Sequence, residues 1–100
     1  MRTLEDLKEH IKDSIDPVSF YQQEGQEIRT ASTREWKIGG LCPFHEDRSI
    51  GSFYINDGTG AFKCFACGAK GGDIISFLQK RDDLSFIEAT RTLSQEWRVN

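Results

Sequence analysis

Two pairs of metal-binding side chains constrain this chain more than anything else in it. Cys42 and His45 have two residues between them, as do Cys64 and Cys67, and eighteen residues separate the pairs. A tetrahedral Zn²⁺ takes four nitrogen or sulfur ligands, and a short knuckle presents two of them from one turn. The intervening segment must fold back so that the second knuckle meets the first. Ser52-Phe-Tyr-Ile-Asn56, the run Asp57-Gly58-Thr59-Gly60, and Ala61-Phe-Lys-Cys-Phe65 read as strand, turn and strand. The expectation is a zinc ribbon, with one metal ion at the end of a small antiparallel sheet.

Other uses of the cysteines fit less well. Three cysteines cannot all pair in disulfides, and no secretory signal is visible. A redox Cys64-x-x-Cys67 motif lacks the surrounding βαβ pattern and leaves Cys42 and His45 unexplained. A catalytic zinc keeps three protein ligands and an open position, whereas four good ligands close the site. The metal is therefore expected to build the fold. With 100 residues the chain is one small domain, in which a metal staple supplements a limited apolar core. Reduced cysteines with zinc suggest a cytoplasmic protein. No stretch is apolar and long enough to span a membrane.

The segments on either side of the ribbon carry helical patterns. Leu4, Leu7, Ile11 and Ile15 form one stripe of a helix over 4–15, with Thr3 as N-cap. His10 beside that stripe reads as a solvated helix residue. Asp16-Pro17 reads as N-cap and first position of a short second helix that Gly25 ends. Asp73 reads as N-cap of a helix over 74–80. The Gly-Gly-Asp entry there is a poor phosphate cradle, because the carboxylate repels an anion. Ser85-x-x-Glu88 has capping-box spacing and opens a last helix with Phe86, Ala89, Leu93 and Trp97 on one stripe. The expected divisions are a helical segment over 1–25, the ribbon over 26–70, and C-terminal helices over 71–100.

Between the first helices and the ribbon, Glu27, Ile28 and Arg29 look like one strand and Trp36, Lys37 and Ile38 like another, joined by the polar run 30–35. The fold expected is α+β, a four- or five-stranded antiparallel sheet flanked by helices. Alternation puts Trp36, Ile38, Phe53, Ile55 and Phe62 on the core face. It leaves Lys37, Tyr54, Lys63 and Phe65 on the other, where aromatic faces could stack bases and lysines could neutralise phosphates. Charge agrees modestly: residues 1–27 carry a balance of −4, 28–70 of +2 and 71–100 of −1, for −3 overall.

Cys-Pro-Phe-His from Cys42, the Lys63-Cys-Phe-Ala-Cys-Gly68 knuckle, Gly72-Asp73 opening a helix, and Phe86-Ile-Glu-Ala89 together resemble the zinc-binding domain of bacterial and phage DnaG-type DNA primases. The similarity reaches upstream into residues 11–25 and so covers nearly the whole chain. One departure stands out. Arg48-Ser-Ile-Gly-Ser-Phe53 replaces the shorter Lys-Thr-Pro-Ser-Phe type of run usual in that family, losing its proline and gaining a residue. The resemblance implies one structural Zn²⁺ on Cys42, His45, Cys64 and Cys67. It also implies recognition of single-stranded template DNA and help in starting RNA primers, with a primase catalytic domain in cis or in trans and a replicative helicase among the partners. Lys37, Arg48, Tyr54, Lys63 and Lys70 are the candidate DNA contacts. Primer synthesis needs metal-holding acidic residues that the family keeps in a separate domain, and Asp82-Asp83 lacks the surroundings of such a site. A catalytic role for this chain alone is therefore not expected. A standalone zinc ribbon that binds a replication or transfer partner without touching DNA is the alternative reading, and the net negative charge favours it modestly.

Overall fold

The computed structural model describes residues 3–29 and 35–99. Two helices come first, α1 (Leu4–Ser14) and α2 (Pro17–Gln23). The strands β1 (Trp36–Ile38), β2 (Phe53–Asn56), β3 (Phe62–Cys64) and β4 (Lys70–Gly71) follow, and α3 (Ile74–Asp82) and α4 (Phe86–Glu96) close the chain. The four strands form one antiparallel sheet in chain order. The α+β class holds, and β4 carries the sheet one residue past the expected end of the ribbon at Lys70.

Each helix starts where its side-chain chemistry dictates. Thr3 and Asp6 exchange side-chain-to-backbone hydrogen bonds, as do Ser85 and Glu88, which makes both starts capping boxes. Asp16 accepts the Ser19 N–H at 3.0 Å ahead of Pro17, and Asp73 accepts that of Ser76 at 2.8 Å. Along α1 the stripe works as expected for Ile11, with Ile15 as its buried C-cap, but Leu4 stands 58% exposed at the open end.

Helices α1 and α3 both pack against α4, and one aromatic cluster joins helices to sheet. Phe77 of α3 is its hub, with ring centroids 4.9 Å from Tyr21, 5.5 Å from Phe44, 5.4 Å from Phe62 and 5.8 Å from Phe20. The inner sheet residues Phe53, Ile55, Phe62 and Cys64 are buried beneath it. Three polar ties orient the layers. Tyr21 donates its hydroxyl to the Gly60 carbonyl at 2.7 Å, Arg81 meets Glu24 at 2.6 Å, and Lys8 lies 3.7 Å from the buried Asp73.

Two expectations about the sheet are corrected. Glu27, Ile28 and Arg29 form no strand; their link to β1 is the Arg29 N–H bonded to the Ile38 carbonyl at 3.1 Å. The polar run expected over 30–35 lies outside the described residues except for Glu35. The second correction concerns β1. Lys37 pairs with Ile55 and Ile38 with Tyr54, and directly paired residues share a face. Lys37 is thus on the inner side, while Trp36 and Ile38 share the outer face with Tyr54. Just past this edge strand the inner side is tightly packed: a Cβ on Gly39 would come within 2.8 Å of the Phe53 ring. A lysine stem fits there, 13% exposed, with its ammonium 2.8 Å from Asp57. The larger Trp36 is left outside, 42% exposed.

Candidate metal centre and outer sheet face

The first knuckle leaves β1 through Gly39 and Gly40. Gly40 has φ of 81°, and a Cβ there would meet the Glu27 backbone nitrogen at 2.7 Å. Gln26 holds this entry by donating from Nε2 to the Gly39 and Leu41 carbonyls, both at 2.6 Å. Phe44, between the two ligands of the knuckle, points into the core and stacks on Phe62 with centroids 5.3 Å apart. The second knuckle begins at Cys64, the last residue of β3. It turns back with the Gly68 N–H on the Cys64 carbonyl at 2.9 Å, and Gly68 has φ of 79°. The Phe65 N–H reaches the Ser52 carbonyl at 2.9 Å, which fastens this knuckle to the loop before β2.

These turns converge Cys42, His45, Cys64 and Cys67 so that their ligand atoms all lie within 4.8 Å of one another. Cys42 Sγ and Cys67 Sγ are 3.8 Å apart, and Cys64 Sγ lies 3.9 Å from His45 Nδ1. Sulfurs 2.3 Å from a tetrahedral ion sit about 3.8 Å from each other, whereas a disulfide needs about 2.05 Å. The donor set and spacing therefore fit one zinc ion and not a cross-link.

The electrostatics of the cluster explain its preference for a cation. Burial above all, and then the neighbouring Cys64 and Cys67, push the Cys42 thiol up to about 12, against the N–H of Phe44. Burial acts the same way on Cys64, but the N–H groups of Cys67 and Ala66 bring that thiol below its ordinary value. A divalent ion reverses the penalty on packing thiolates together, since coordination deprotonates them outright.

A fifth residue, one the sequence reading passed over, organises the first knuckle. Asp47 Oδ2 accepts the Cys42 N–H at 2.8 Å, and Oδ1 lies 3.8 Å from His45 Nε2. The Cys42 N–H foremost, helped by those of Ser49 and Arg48 and by His45, holds this carboxyl below its usual range despite its 8% exposed side chain. The signal available in sequence was a carboxylate five residues after the first cysteine, which spacing alone does not distinguish from a solvated loop acid.

The five candidate DNA contacts separate in space. Register brings Tyr54, Lys63 and Lys70 onto the outer face, with Lys63 opposite both Tyr54 and Lys70. Lys37 lies on the inner side, as described. Arg48 lines a different cleft with Gln26, Glu27, Arg29, Leu41, Ser49 and Ile50, and its exposed guanidinium is 3.7 Å from Glu46. Trp36, expected in the core, joins the outer set instead. Phe65 stands 68% exposed beside it, edge-on to Tyr54 at 5.5 Å and beneath the Lys63 ammonium at 4.7 Å.

A four-stranded ribbon with two Cys/His knuckles closing over one tetrahedral site defines a structural zinc-ribbon domain. Residues 3–100 match the CHC2 zinc finger family of the DnaG zinc ribbon, and the chain belongs to that family. It is 39% identical over 90 residues to the DNA primase of Streptomyces coelicolor, covering 90% of this chain and 13% of that protein. With the Thermotoga maritima DNA primase the identity is 37% over 87 residues, covering 87% of this chain and 14% of the primase. The crystal structure of the Aquifex aeolicus primase, comprising zinc-binding and RNA polymerase domains, superposes over 100% of this chain with a TM-score of 0.73 and 29% identity, and 23% of that chain is covered. The chain thus spans only a small part of the relatives it matches. It carries the family's single structural zinc on Cys42, His45, Cys64 and Cys67. Among the described residues no helix is long and apolar enough to cross a membrane.

Proposed function

We propose that this chain is the template-reading zinc domain of a DNA primase. It holds single-stranded template DNA on the outer face of its sheet and helps a catalytic RNA polymerase domain, in the same chain or a separate one, to start RNA primers. A replicative helicase is the further partner, and the cytoplasm is the compartment, that this reading implies. The observation that carries it is the outer face itself: Trp36 and Phe65 lie open to solvent beside Lys63. Aromatic side chains this exposed contribute little to the core, and with a lysine beside them they suit unpaired bases and their phosphates. Zinc has no chemical step in this reading. It fixes β3 and the knuckle after it, which together hold Lys63 and Phe65.

Binding of labelled oligonucleotides to the zinc-loaded protein tests the reading. Fluorescence anisotropy is expected to show single strands bound more tightly than duplex of the same sequence, with affinity falling as salt rises. Mixing the protein with a primase catalytic domain is expected to raise the frequency of primer initiation on single-stranded template. A zinc-loaded protein that binds no single strand, yet captures a replication protein, would replace this reading with that of a partner-binding ribbon.

A further inference from the structure

The outer face has a finer structure than a general nucleic-acid surface, and the inference drawn from it rests on the single-strand reading above. Two hollows lie side by side. One, of about 510 Å³, is lined by Trp36, Tyr54, Lys63 and Phe65. The other, of about 450 Å³, is lined by Trp36, Phe62, Lys63, Lys70, Gly71 and Gly72. Trp36 and Lys63 belong to both and form the boundary between them.

Two lysines on paired positions line the second hollow, since Lys63 stands directly opposite Lys70 across β3 and β4, with the Lys63 ammonium over the Phe65 ring. Like charges facing each other across strands oppose sheet formation. An anion between them turns that repulsion into attraction. Gly71 and Gly72 line it beside Phe62: a Cβ on Gly71 would clash with the Phe62 ring, while one on Gly72 meets nothing within 4 Å. The first hollow, by contrast, is walled by three aromatic rings. A flat apolar group suits it better than a charged one.

We propose that the outer face is a stepped site for a short unpaired segment of DNA, with one base stacked on Trp36 in the aromatic hollow and the adjoining phosphate held between Lys63 and Lys70. Trp36 is then the residue that demands single-strandedness, because its ring can be covered only by a base free of its own stack. The footprint is short. One held phosphate means about one phosphate contact, so the logarithm of affinity falls against that of salt concentration with a slope of about −0.7 for a single strand.

Oligothymidylates of one to six nucleotides provide the probe, titrated against zinc-loaded protein carrying Trp97→Phe so that Trp36 alone reports. Trp97 Nε1 is buried without a hydrogen-bond partner among the described residues, so its loss removes no polar contact they make. Quenching of Trp36 is expected to begin with the dinucleotide and to gain little affinity per nucleotide beyond the third. The salt slope should become shallower than about −0.7 in Lys63→Ala or Lys70→Ala. In the otherwise natural sequence, Trp36→Ala should weaken binding about ten- to a hundredfold by anisotropy. Gly72→Leu, which fills the second hollow from a position with open space, should weaken it at least fivefold. Single strands that bind with unchanged affinity in Trp36→Ala and Gly72→Leu would overturn the stepped site and leave the primase reading standing. Absence of binding at every probe length would remove both.

Discussion

The carboxylate of Asp47 accepts the backbone N–H of Cys42 at 2.8 Å while its other oxygen lies 3.8 Å from the imidazole of His45. One side chain thereby holds the backbone of Cys42 and faces the far nitrogen of the histidine whose Nδ1 is turned toward the cluster. Carboxylates placed behind metal ligands in this way typically change metal affinity 10- to 100-fold when removed. Asp47→Ala is expected to lower zinc affinity within that range, and Asp47→Asn, which keeps an acceptor for Cys42, to lower it less. Competition against a chromophoric chelator measures both. Equal affinity in all three proteins would reduce Asp47 to a loop-shaping residue.

Removal of the metal should be more drastic. The two knuckles join the chain between β1 and β2 to that between β3 and β4, and burial makes the Cys42 thiol resist ionisation until a cation arrives. Metal binding free energy in such sites is folding free energy. Chelation, or Cys64→Ser, is expected to abolish the cooperative thermal transition and the near-ultraviolet circular dichroism of the aromatic cluster, with recovery on added zinc for the unmodified chain only. A Cys64→Ser protein that melts cooperatively without zinc would contradict a structural metal.

Lys37 was expected beside Tyr54 and is found beneath the sheet with Asp57. Its removal should therefore act on stability and not on nucleic acid. Lys37→Ala breaks a partly buried ion pair, which should cost about 1–2 kcal/mol once exposure of Asp57 is allowed for. The salt slope of oligonucleotide binding should stay at the unmodified value. A lower slope would return Lys37 to the binding surface.

The same residue shows where sequence reasoning reached its limit. The zinc ligands were legible because two residues of spacing within a knuckle are a local constraint, and so were the caps at Thr3, Asp16, Asp73 and Ser85, each satisfied within three residues of chain. The facing of β1 is not local. Trp-Lys-Ile alternates equally well in either sense, and a one-residue shift of register exchanges the faces completely. What decides it is Gly39 packed on Phe53 and the Lys37–Asp57 pair, twenty residues apart. The strand expected at Glu27, Ile28 and Arg29 failed for a similar reason: its apolar content allowed pairing, but among the described residues its hydrogen bond to β1 is the one from Arg29 to Ile38.

Acid should weaken the last helix through Glu88. The Ser85 N–H, foremost, and the Ser85 hydroxyl hold its carboxyl below the ordinary value of 4.5, with help from Arg91. A carboxyl depressed in the folded state stabilises that state above its unfolded value, and the contribution disappears as pH falls through the folded one. Stability should thus decline from about pH 5 downward, and Glu88→Gln should flatten that decline while lowering stability at pH 7. Thermal melts of both proteins across pH 3–7, each with zinc in excess, compare the slopes directly. Parallel curves would show that the capping box does not depend on charge.

Phe44 is the remaining lever on the metal, and it acts through packing. It sits between Cys42 and His45 in the chain, with its ring stacked on Phe62 at 5.3 Å and edge-on to Phe77 at 5.5 Å. The position of the first knuckle is therefore set by the aromatic cluster as much as by the ion. Truncating an aromatic side chain in a well-packed cluster costs about 3–5 kcal/mol, less where the ring is partly exposed, as this one is. Phe44→Ala should lower both the melting temperature and the zinc affinity, while Phe44→Leu, which keeps most of the volume, should lower each by less. Phe77 meets the first knuckle at the Phe44 ring, so the effect of Phe77→Ala on zinc affinity should shrink when Phe44 is already alanine. A double-mutant cycle on zinc affinity measures that coupling. Strictly additive losses would mean that the ion alone positions the knuckle and that the ring beneath it only fills space.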